Sequence, residues 1–465
     1  MSVGQKLFAQ SPLPIRKLLF NVYAGYLRFR REGRPLQDAI DALDRVDRST
    51  TESIRNYQLE QINELLAWAR RQVPYYRQAA AFADGNSSSL RSLGDLEHFP
   101  VLTRGKIREA STTLFAENAP RFSGHTSGTT GSPLSLAYDM RQRIWNRAAE
   151  KLVRLRAGLA RDARVATVWG RPLVPASRKV PPFWVRNWPD RELWLSAFHI
   201  HRDTVQSYFD AAAQFGATAL ETYPSIAHVL AVLAREKNIK VRFHRVLTTS
   251  ETLYPFQRDL IQEVFGAEVF DYYGQAERVA FAVECSRHTG LHLLEGYGYV
   301  EPQQPDDDGN GIPGLIATGL TNRAMPLIRY KIEDATSLIT QDCPCGLKSR
   351  RLSPVTTKRE DVLVGVDGNF VSPSILTHPF KVVGGVIRSQ VVQTRADHVQ
   401  VLLEVNQSFD TTQQQLLHDA LTQRLGQGMT IEFTVVDEIP RERSGKFRWV
   451  INKAPAIERR LSRHN

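Results

Sequence analysis

The feature that most constrains the fold is a repeated alternation of short apolar runs with longer stretches of helical pattern. The apolar runs occupy residues 165–169, 217–222, 246–249 and 269–273. Apolar strands separated by helices are typical of α/β units whose sheet is largely buried. Two further runs, residues 314–319 and 326–330, also predict strands. Because a chain of 465 residues is too long for a single core, we expect at least two domains.

The first part of the chain predicts helices. A helix is expected from about Thr51, because apolar side chains recur there at spacings of three and four residues. We expect it to end at Val73, since proline at position 74 disfavours helical geometry in the residue before it. The basic segment at residues 15–31 leaves two alternatives open. It either rests on an anionic membrane surface or packs on its own domain with its arginines solvated.

The composition changes after about residue 355. Residues 361–364 predict a strand that leads into an Asp-Gly turn, and residues 391–394 and 399–405 predict a hairpin. Residues 411–425 predict a helix that stops at Gly426. The side chains expected inside are Leu416, Leu417, Leu421 and Leu425. This order predicts a small, separately folded α+β domain.

The charge is concentrated at the two ends of the chain. Residues 1–34 and 441–465 each carry +6 of a total of +11, so the middle is nearly neutral. A nucleic-acid-binding protein is expected to be basic along one surface, and no nucleic-acid partner is predicted. Three cysteines argue for a reducing compartment and against a disulfide framework. Since the start lacks a signal-peptide pattern and its apolar stretch is short, we expect a cytoplasmic protein.

Residues 125–133 read HTSGTTGSP, a run of hydroxyl residues and glycines. Glycines let backbone N–H groups approach a ligand, and hydroxyls add donors, so such a loop can wrap phosphate oxygens. The run is not a Walker A loop, because no Lys-Ser/Thr follows Gly131. The other interpretation is a flexible surface turn.

Two segments place a carboxylate after a predicted strand. Residues 271–277 end with Glu277, which could hold Mg²⁺, and contain Tyr273, which could stack on a base. Residues 325–334 end with Asp334, which could accept the hydroxyls of a ribose. The alternative for the first segment is a buried Tyr273 with an exposed Glu277, and the alternative for the second is a solvated Asp334 at the end of a strand.

Two basic segments follow. Arg359 could bind a phosphate while Asp361 absorbs a hinge rotation, although charged residues between domains often only solvate a linker. Lys446 lies on a loop with Ser444 and Gly445, which suits a lysine that neutralises charge on a transferring phosphoryl group. A solvated basic loop is the alternative.

Cys285, His292, Cys343 and Cys345 form a candidate Cys₃His zinc set. His288 competes with His292 as the fourth ligand. The alternative is three buried thiols. With four protein ligands the site would be structural, since no position is open for water.

Taken in order, these segments resemble the adenylate-forming enzymes of the acyl-coenzyme A synthetase superfamily. The resemblance is to the phenylacetate-coenzyme A ligase-like branch, which includes proteins of capsular polysaccharide biosynthesis, and it extends from about Val73 to Lys453. Residues 126–133 match the phosphate loop, and residues 273–277 match the tyrosine-glycine-x-threonine-glutamate motif. The chain departs from the family pattern at three positions, which are Leu134, Ala276 and Glu333.

The resemblance implies an α/β fold with a large N-terminal adenylate-forming domain of mixed sheets and helices and a small mobile C-terminal α+β domain. It divides the chain into a basic helical segment at 1–72 that packs on the large domain, an AMP-binding domain at 73–357, a hinge at 358–361 and the small domain at 362–465.

The resemblance also implies an activity. A carboxylic acid is activated with ATP to an acyl-adenylate and pyrophosphate, and the acyl group then passes to a thiol such as coenzyme A. The implied nucleotide contacts are Thr126, Ser127, Gly128, Thr129, Thr130, Gly131, Tyr273, Gly274, Asp334 and Arg359. The implied catalytic residues are Glu277 (through Mg²⁺), Arg359 and Lys446, with Asp361 as the hinge. The cysteine set matches a zinc site found in some members.

Two alternatives of other classes remain open. The acceptor could be a carrier-protein thiol or an amine, as in polysaccharide or natural-product assembly. The chain could also be a non-catalytic member of the fold, although Glu277, Asp334 and Lys446 are all retained.

Overall fold

The structure is a computed structural model. It describes residues 11–78, 89–126, 134–171, 173–175, 177–302, 315–334, 336–339, 341–355, 363–368, 370–371, 373–380, 383–439 and 448–454. Within these ranges, no helix combines the length and the apolar character needed to cross a membrane.

Helices and strands alternate along most of the chain. The α-helices are α1 (Leu13–Arg31), α2 (Arg34–Arg48), α3 (Thr51–Gln72), α4 (Pro74–Gln78), α5 (Arg104–Ala110), α6 (Met140–Arg156), α7 (Val205–Phe215), α8 (Pro224–Glu236), α9 (Pro255–Phe265), α10 (Pro373–Phe380) and α11 (Thr411–Leu425). Short 3₁₀ helices span Leu93–His98, Ser111–Leu114 and Ala197–His199. The strands are β1 (Phe122–His125), β2 (Ser135–Tyr138), β3 (Val165–Trp169), β4 (Trp184–Asn187), β5 (Glu192–Ser196), β6 (Ala219–Thr222), β7 (Arg245–Thr249), β8 (Glu268–Gly274), β9 (Phe281–Glu284), β10 (Leu291–Leu293), β11 (Gly298–Pro302), β12 (Leu315–Gly319), β13 (Tyr330–Ile332), β14 (Leu338–Ile339), β15 (Arg351–Leu352), β16 (Leu363–Val364), β17 (Phe370–Val371), β18 (Val386–Arg395), β19 (His398–Val405), β20 (Thr430–Val435) and β21 (Val450–Asn452).

The largest sheet has ten strands in the order β14-β15-β10-β9-β8-β7-β6-β3-β5-β4. Its strands β5, β3, β6, β7 and β8 run parallel to one another. The four apolar runs at 165–169, 217–222, 246–249 and 269–273 correspond to β3, β6, β7 and β8, so the predicted α/β fold is confirmed. Since parallel strands end at one edge of a sheet, the loops after these strands lie together there, where ligands bind in α/β folds.

A separate antiparallel sheet, β11-β12-β13, carries the second candidate carboxylate. The strand predicted at 326–330 is wrong in its bounds, because β13 begins only at Tyr330. The reason is Arg329, whose backbone has a φ of 52° and cannot continue a strand. The Arg329 guanidinium is buried against Glu301, at 2.9 Å, and donates to the carbonyl of Phe99. These contacts hold the kink in place.

The N-terminal helices pack on the large sheet and on α6. The helix predicted from about Thr51 is α3, and it ends at Gln72 as expected. Thr50 caps its start, since the Thr50 hydroxyl accepts the Ser53 N–H at 3.2 Å. Val73 adopts an extended conformation, and Pro74 then begins the short helix α4.

A buried ion-pair cluster ties α6 to the large sheet. Arg154 of α6 lies 2.7 Å from Glu192 of β5, and its Nε donates to Glu221 of β6 at 2.9 Å. Tyr272 of β8 also donates to Glu221, at 3.0 Å. Glu192 and Glu221 are both buried. Because an unpaired buried carboxylate is costly, each acid depends on Arg154.

The C-terminal part contains a four-stranded mixed sheet in the order β20-β19-β18-β21. The predicted hairpin is confirmed, since β18 and β19 pair antiparallel. The helix predicted at 411–425 is α11, and it ends at Gly426, whose φ is 97°. Leu417, Leu421 and Leu425 are buried, but Leu416 is exposed and the prediction that it lies inside is wrong.

Elements of this C-terminal part contact the edge of the large sheet where the parallel strands end. A Cβ on Gly170, just after β3, would lie 2.8 Å from Cγ1 of Ile375, so α10 packs directly against that turn. The Lys179 ammonium lies 3.0 Å from the Asp367 carboxylate.

Candidate active site

Two carboxylates and two tyrosines form a crossed pair of contacts. Glu277 and Tyr273 come from β8 and the loop after it, whereas Asp334 and Tyr330 come from β13 and the loop after that. The Tyr273 hydroxyl donates to Oδ2 of Asp334 at 2.7 Å, and the Tyr330 hydroxyl donates to Oε1 of Glu277 at 2.7 Å. Each tyrosine therefore holds the carboxylate of the other segment. The structure brings the two predicted site carboxylates together through this link.

The electrostatics of the pair follow from burial. Burial raises the pKa of Glu277, and the Tyr330 hydrogen bond and the Arg104 charge oppose that rise. Burial also raises the pKa of Tyr273 and of Tyr330, so both phenols stay protonated and serve as donors. The Tyr330 hydroxyl thus favours the ionised form of Glu277, which is the form that can hold a cation.

Arg104 connects this pair to the start of the hydroxyl-glycine loop. Its guanidinium donates to the Thr126 hydroxyl at 2.9 Å and lies 3.3 Å from Glu333. The Thr126 hydroxyl accepts the Leu134 N–H at 2.9 Å, and the Thr126 N–H donates to the Leu134 carbonyl at 3.2 Å. The hairpin β1-β2 therefore closes the two ends of the loop. Glu333, which departs from the family pattern, has a role as the partner of Arg104.

The backbone of the loop after β8 is held by Tyr138. The Tyr138 hydroxyl donates to the Ala276 carbonyl at 2.7 Å, and the Arg278 guanidinium lies 4.1 Å from the Tyr138 ring centroid. A Cβ on Gly124 would lie 2.3 Å from this ring, so a side chain at position 124 is excluded. These contacts fix the residue next to Glu277.

Two aromatic residues near this site also meet. Trp169 ends β3, Tyr223 follows β6, and their ring centroids are 5.1 Å apart. Both belong to the edge of the sheet where the parallel strands end.

Of the residues predicted to bind the nucleotide or to act in catalysis, the structure describes Thr126, Tyr273, Gly274, Glu277 and Asp334. The remaining predictions for the nucleotide, the catalytic lysine and the hinge lie outside the described residues; they concern Ser127, Gly128, Thr129, Thr130, Gly131, Arg359, Asp361 and Lys446. Sequence reasoning missed Arg104, Tyr138 and Tyr330. Tyr330 lies in the segment at 325–334 that ends with Asp334, but only the contact with Glu277 reveals its role.

A second site contains the three cysteines and one histidine. The ligand atoms of Cys285, His292, Cys343 and Cys345 all lie within 4.8 Å of one another. The Cys285 and Cys343 sulfurs are 3.7 Å apart, and the Cys345 sulfur is 3.3 Å from Nε2 of His292. Two sulfurs at tetrahedral positions about 2.3 Å from a zinc ion lie about 3.8 Å apart. The donor set therefore fits zinc.

The same contacts distinguish the two candidate histidines. Nδ1 of His292 lies 3.2 Å from the Ser349 carbonyl, which leaves Nε2 directed at the sulfurs and is the outer contact usual for a ligating histidine. Burial, followed by the charge of Arg156, lowers the pKa of His292 to about 4, so its imidazole is neutral. His288 instead lies 3.1 Å from both Glu268 and Glu284. His292 is the member of the cluster.

Comparisons with known proteins agree with this fold. A family model for the CapK C-terminal domain matches residues 363–453. The chain is 26% identical to protein CapK of Staphylococcus aureus over 372 residues, which cover 78% of this chain and 81% of that protein. It is 24% identical to the phenylacetate-coenzyme A ligase of Thermus thermophilus over 440 residues, which cover 86% of this chain and 97% of that protein.

A solved structure shows the same fold. The crystal structure of 2-hydroxyisobutyryl-CoA ligase in the postadenylation state superposes with a TM-score of 0.55 at 19% identity, over 90% of this chain and 94% of that one. The chain therefore has the fold of this ligase. In sequence, the chain is similar to CapK and to phenylacetate-coenzyme A ligases, the relatives that the motifs predicted.

Proposed function

We propose that this protein is an ATP-dependent acid–thiol ligase that forms an acyl-adenylate. The observation that carries the proposal is the crossed contact of Tyr273 with Asp334 and of Tyr330 with Glu277, beside the hairpin that closes the hydroxyl-glycine loop. A carboxylate that can accept ribose hydroxyls and a carboxylate that can hold a cation are thereby kept next to a loop suited to phosphate. The name of the phenylacetate-coenzyme A ligase relative supports the same class of reaction.

The first half-reaction joins two anions, so the site must supply positive charge. An oxygen of the substrate carboxylate attacks the α-phosphorus of ATP, a new P–O bond forms, and the bond to the bridging oxygen breaks as pyrophosphate leaves. We propose that Ser127, Thr129 and Thr130 hold the leaving pyrophosphate, and that Arg359 and Lys446 offset its charge. Asp334 would bind the ribose hydroxyls, with Tyr273 fixing its orientation.

Glu277 is a suitable ligand for Mg²⁺, since it is a carboxylate whose ionised form is favoured by Tyr330 and Arg104 against the opposing effect of burial on its pKa. Bound there, Mg²⁺ would offset negative charge on the phosphates. The positioning residue is Tyr330, because it contacts the ligand carboxylate and not the reacting atoms.

In the second half-reaction, the sulfur of a thiol such as coenzyme A attacks the acyl carbon, AMP leaves, and the thiol proton is lost to a base. We propose that the small domain, at 362–465, rotates about Asp361 in the hinge at 358–361 between the two steps. A carrier-protein thiol or an amine would meet the same activated carbon, so the acceptor is tested separately from adenylation.

We also propose that the Cys₃His cluster binds one zinc ion. It would be structural, because Cys285, His292, Cys343 and Cys345 complete a tetrahedral set and leave no open position. The site would join the turn after β9 to the segment before β15, which are distant in sequence.

The experiment that tests the adenylation proposal is acid-dependent exchange of radiolabelled pyrophosphate into ATP. A panel of carboxylic acids first identifies a substrate. The Lys446→Ala variant should then lose about 10²–10³-fold in exchange rate, because the lysine acts mainly on charge that develops in the transition state. The matched control is Lys453→Ala, which removes an exposed lysine of the same domain and should exchange at the wild-type rate.

Exchange by Lys446→Ala at the wild-type rate would show that another group supplies the charge. Absence of acid-dependent exchange in the wild-type protein across the whole panel would refute adenylation. Product analysis with coenzyme A or an amine in the same assay then identifies the acceptor.

A further inference from the structure

Helix α1 has its apolar residues on the outside. Its large apolar side chains at positions 15, 18, 19, 22, 23, 26 and 29 are all at least 41% exposed, and Phe29 is 86% exposed. Spacings of three and four residues place these side chains on one face of a helix. A surface helix of a globular protein normally turns this face toward the core, so the orientation of α1 is reversed. A contiguous exposed apolar face made of seven large side chains marks a binding surface.

The opposite face fixes α1 to the body of the protein. The Phe20 ring meets the Trp194 ring of β5 at 5.1 Å between centroids, and Ala24 is buried. The Asn21 amide donates to the Arg186 carbonyl at 2.9 Å, and its oxygen accepts the Trp188 N–H at 3.0 Å. The apolar face is therefore directed outward by specific contacts and does not result from a loosely attached helix.

The surroundings of this face are basic and aromatic. Helix α1 contains five Lys/Arg residues and no acid. Trp188, beside the helix, is 64% exposed, and the Arg186 guanidinium lies 5.5 Å from its ring. The Arg30 guanidinium lies 5.9 Å from the ring of Tyr26. Glu32, the acid that follows the helix in sequence, is paired with Arg28 at 3.0 Å.

We propose that α1 and Trp188 form a docking surface for an anionic lipid bilayer, with α1 lying in the plane of the membrane surface. Leucine, phenylalanine, tyrosine and tryptophan on one face, with lysine and arginine beside them, are the composition of helices that lie at the boundary between headgroups and acyl chains. The excess of positive charge complements anionic headgroups. A second copy of this chain would gain nothing from that charge, since it would bring an equally basic face.

The test is co-sedimentation of the full-length protein with vesicles of phosphatidylcholine alone or of equal parts phosphatidylcholine and phosphatidylglycerol. We expect binding to the anionic vesicles, weaker binding as salt is raised, and little binding to phosphatidylcholine. The affinity of the Leu18→Glu/Phe29→Glu variant for the anionic vesicles should be lower by a factor of about ten or more, since two apolar side chains that insert into the bilayer are lost. The control Leu416→Glu alters an exposed leucine of α11 and should bind like the wild type.

A thermal unfolding midpoint equal to that of the wild type shows that each variant is folded, and this readout does not depend on the proposed enzymatic activity. Sedimentation velocity without lipid tests whether a second copy covers the face. Failure of the wild-type protein to bind anionic vesicles overturns the proposal. This holds if the protein is a monomer, and it also holds if the protein is a dimer that the Leu18→Glu/Phe29→Glu variant dissociates. Equal binding by wild type and by this variant overturns it as well.

Discussion

The Tyr330→Phe substitution tests the chemistry of the candidate site most directly. It removes one hydroxyl, the donor to Oε1 of Glu277 at 2.7 Å, and keeps the aromatic ring. Glu277 is buried, and burial already raises its pKa. Without the donor, the protonated form of Glu277 is favoured further. If Glu277 must be ionised to hold Mg²⁺, adenylation by the variant should require a higher pH.

The magnitude follows from the contact. A hydrogen bond to a charged group contributes about 1.5–3 kcal/mol. Since one pH unit corresponds to about 1.36 kcal/mol of preference between protonation states, the acidic limb of the rate profile should move up by about one to two pH units. The limb moves toward higher pH, because a carboxyl group with a raised pKa ionises only at higher pH, and activity is lost where Glu277 is protonated. The assay is acid-dependent pyrophosphate exchange measured across pH for both proteins.

The matched control is Tyr138→Phe. Tyr138 is a neighbouring tyrosine, but its hydroxyl donates to the Ala276 carbonyl at 2.7 Å and not to a carboxylate. Its loss can lower the rate by loosening the loop, yet the acidic limb should stay where it is in the wild type. A Tyr330→Phe profile that is lower at every pH but unshifted would refute the idea that Tyr330 tunes the ionisation of Glu277.

Two further predictions concern the metal cluster and the buried ion pairs. Protein purified without added metal should contain one zinc ion per chain. The His292→Ala variant should lose this ion, whereas His288→Ala should keep it. Wild-type protein that contains no zinc and has reactive thiols would refute the zinc site. Arg154→Met should lower the free energy of unfolding at pH 7 by about 3–5 kcal/mol, because Glu192 and Glu221 are left buried without their cation. Arg154 lowers the pKa of Glu192 against the opposing effect of burial, so the wild-type stabilisation is lost as the pH falls, and the penalty of the variant should shrink at pH 4. An equal penalty at both pH values in urea unfolding would point to packing instead.

The large sheet could be predicted because its strands are buried on both faces. Such strands are rich in apolar residues, and β3, β6, β7 and β8 lie where the apolar runs lie. The strand at 326–330 could not be placed, because its apolar pattern contains Arg329. The left-handed backbone of Arg329 depends on Glu301 and Phe99, which are distant in sequence. Secondary-structure propensity reflects neighbouring residues in the sequence and does not report such long-range contacts.

The same limit applies to the site. Glu277 and Asp334 could be identified because each follows a predicted strand within a recognisable motif. Their partners could not, since Tyr330 contacts Glu277 across 53 residues of chain and Tyr273 contacts Asp334 across 61. The choice of His292 over His288 also needed the structure. Ligand chemistry permits either, but His292 lies within β10, facing the cysteines, and His288 lies beside two glutamates.

The crossing of the two contacts has a consequence for the proposed reaction. Because Tyr273 and Glu277 share one segment and Tyr330 and Asp334 share the other, displacing either segment disturbs both carboxylates at once. The contact proposed for the ribose and the contact proposed for the cation would therefore be lost or kept together. Arg104 extends the same unit to the hairpin that closes the phosphate loop, through Thr126. On this geometry the two segments would present a single preorganised surface to the proposed nucleotide, and Lys446 is the residue proposed to supply the charge that changes between the two half-reactions.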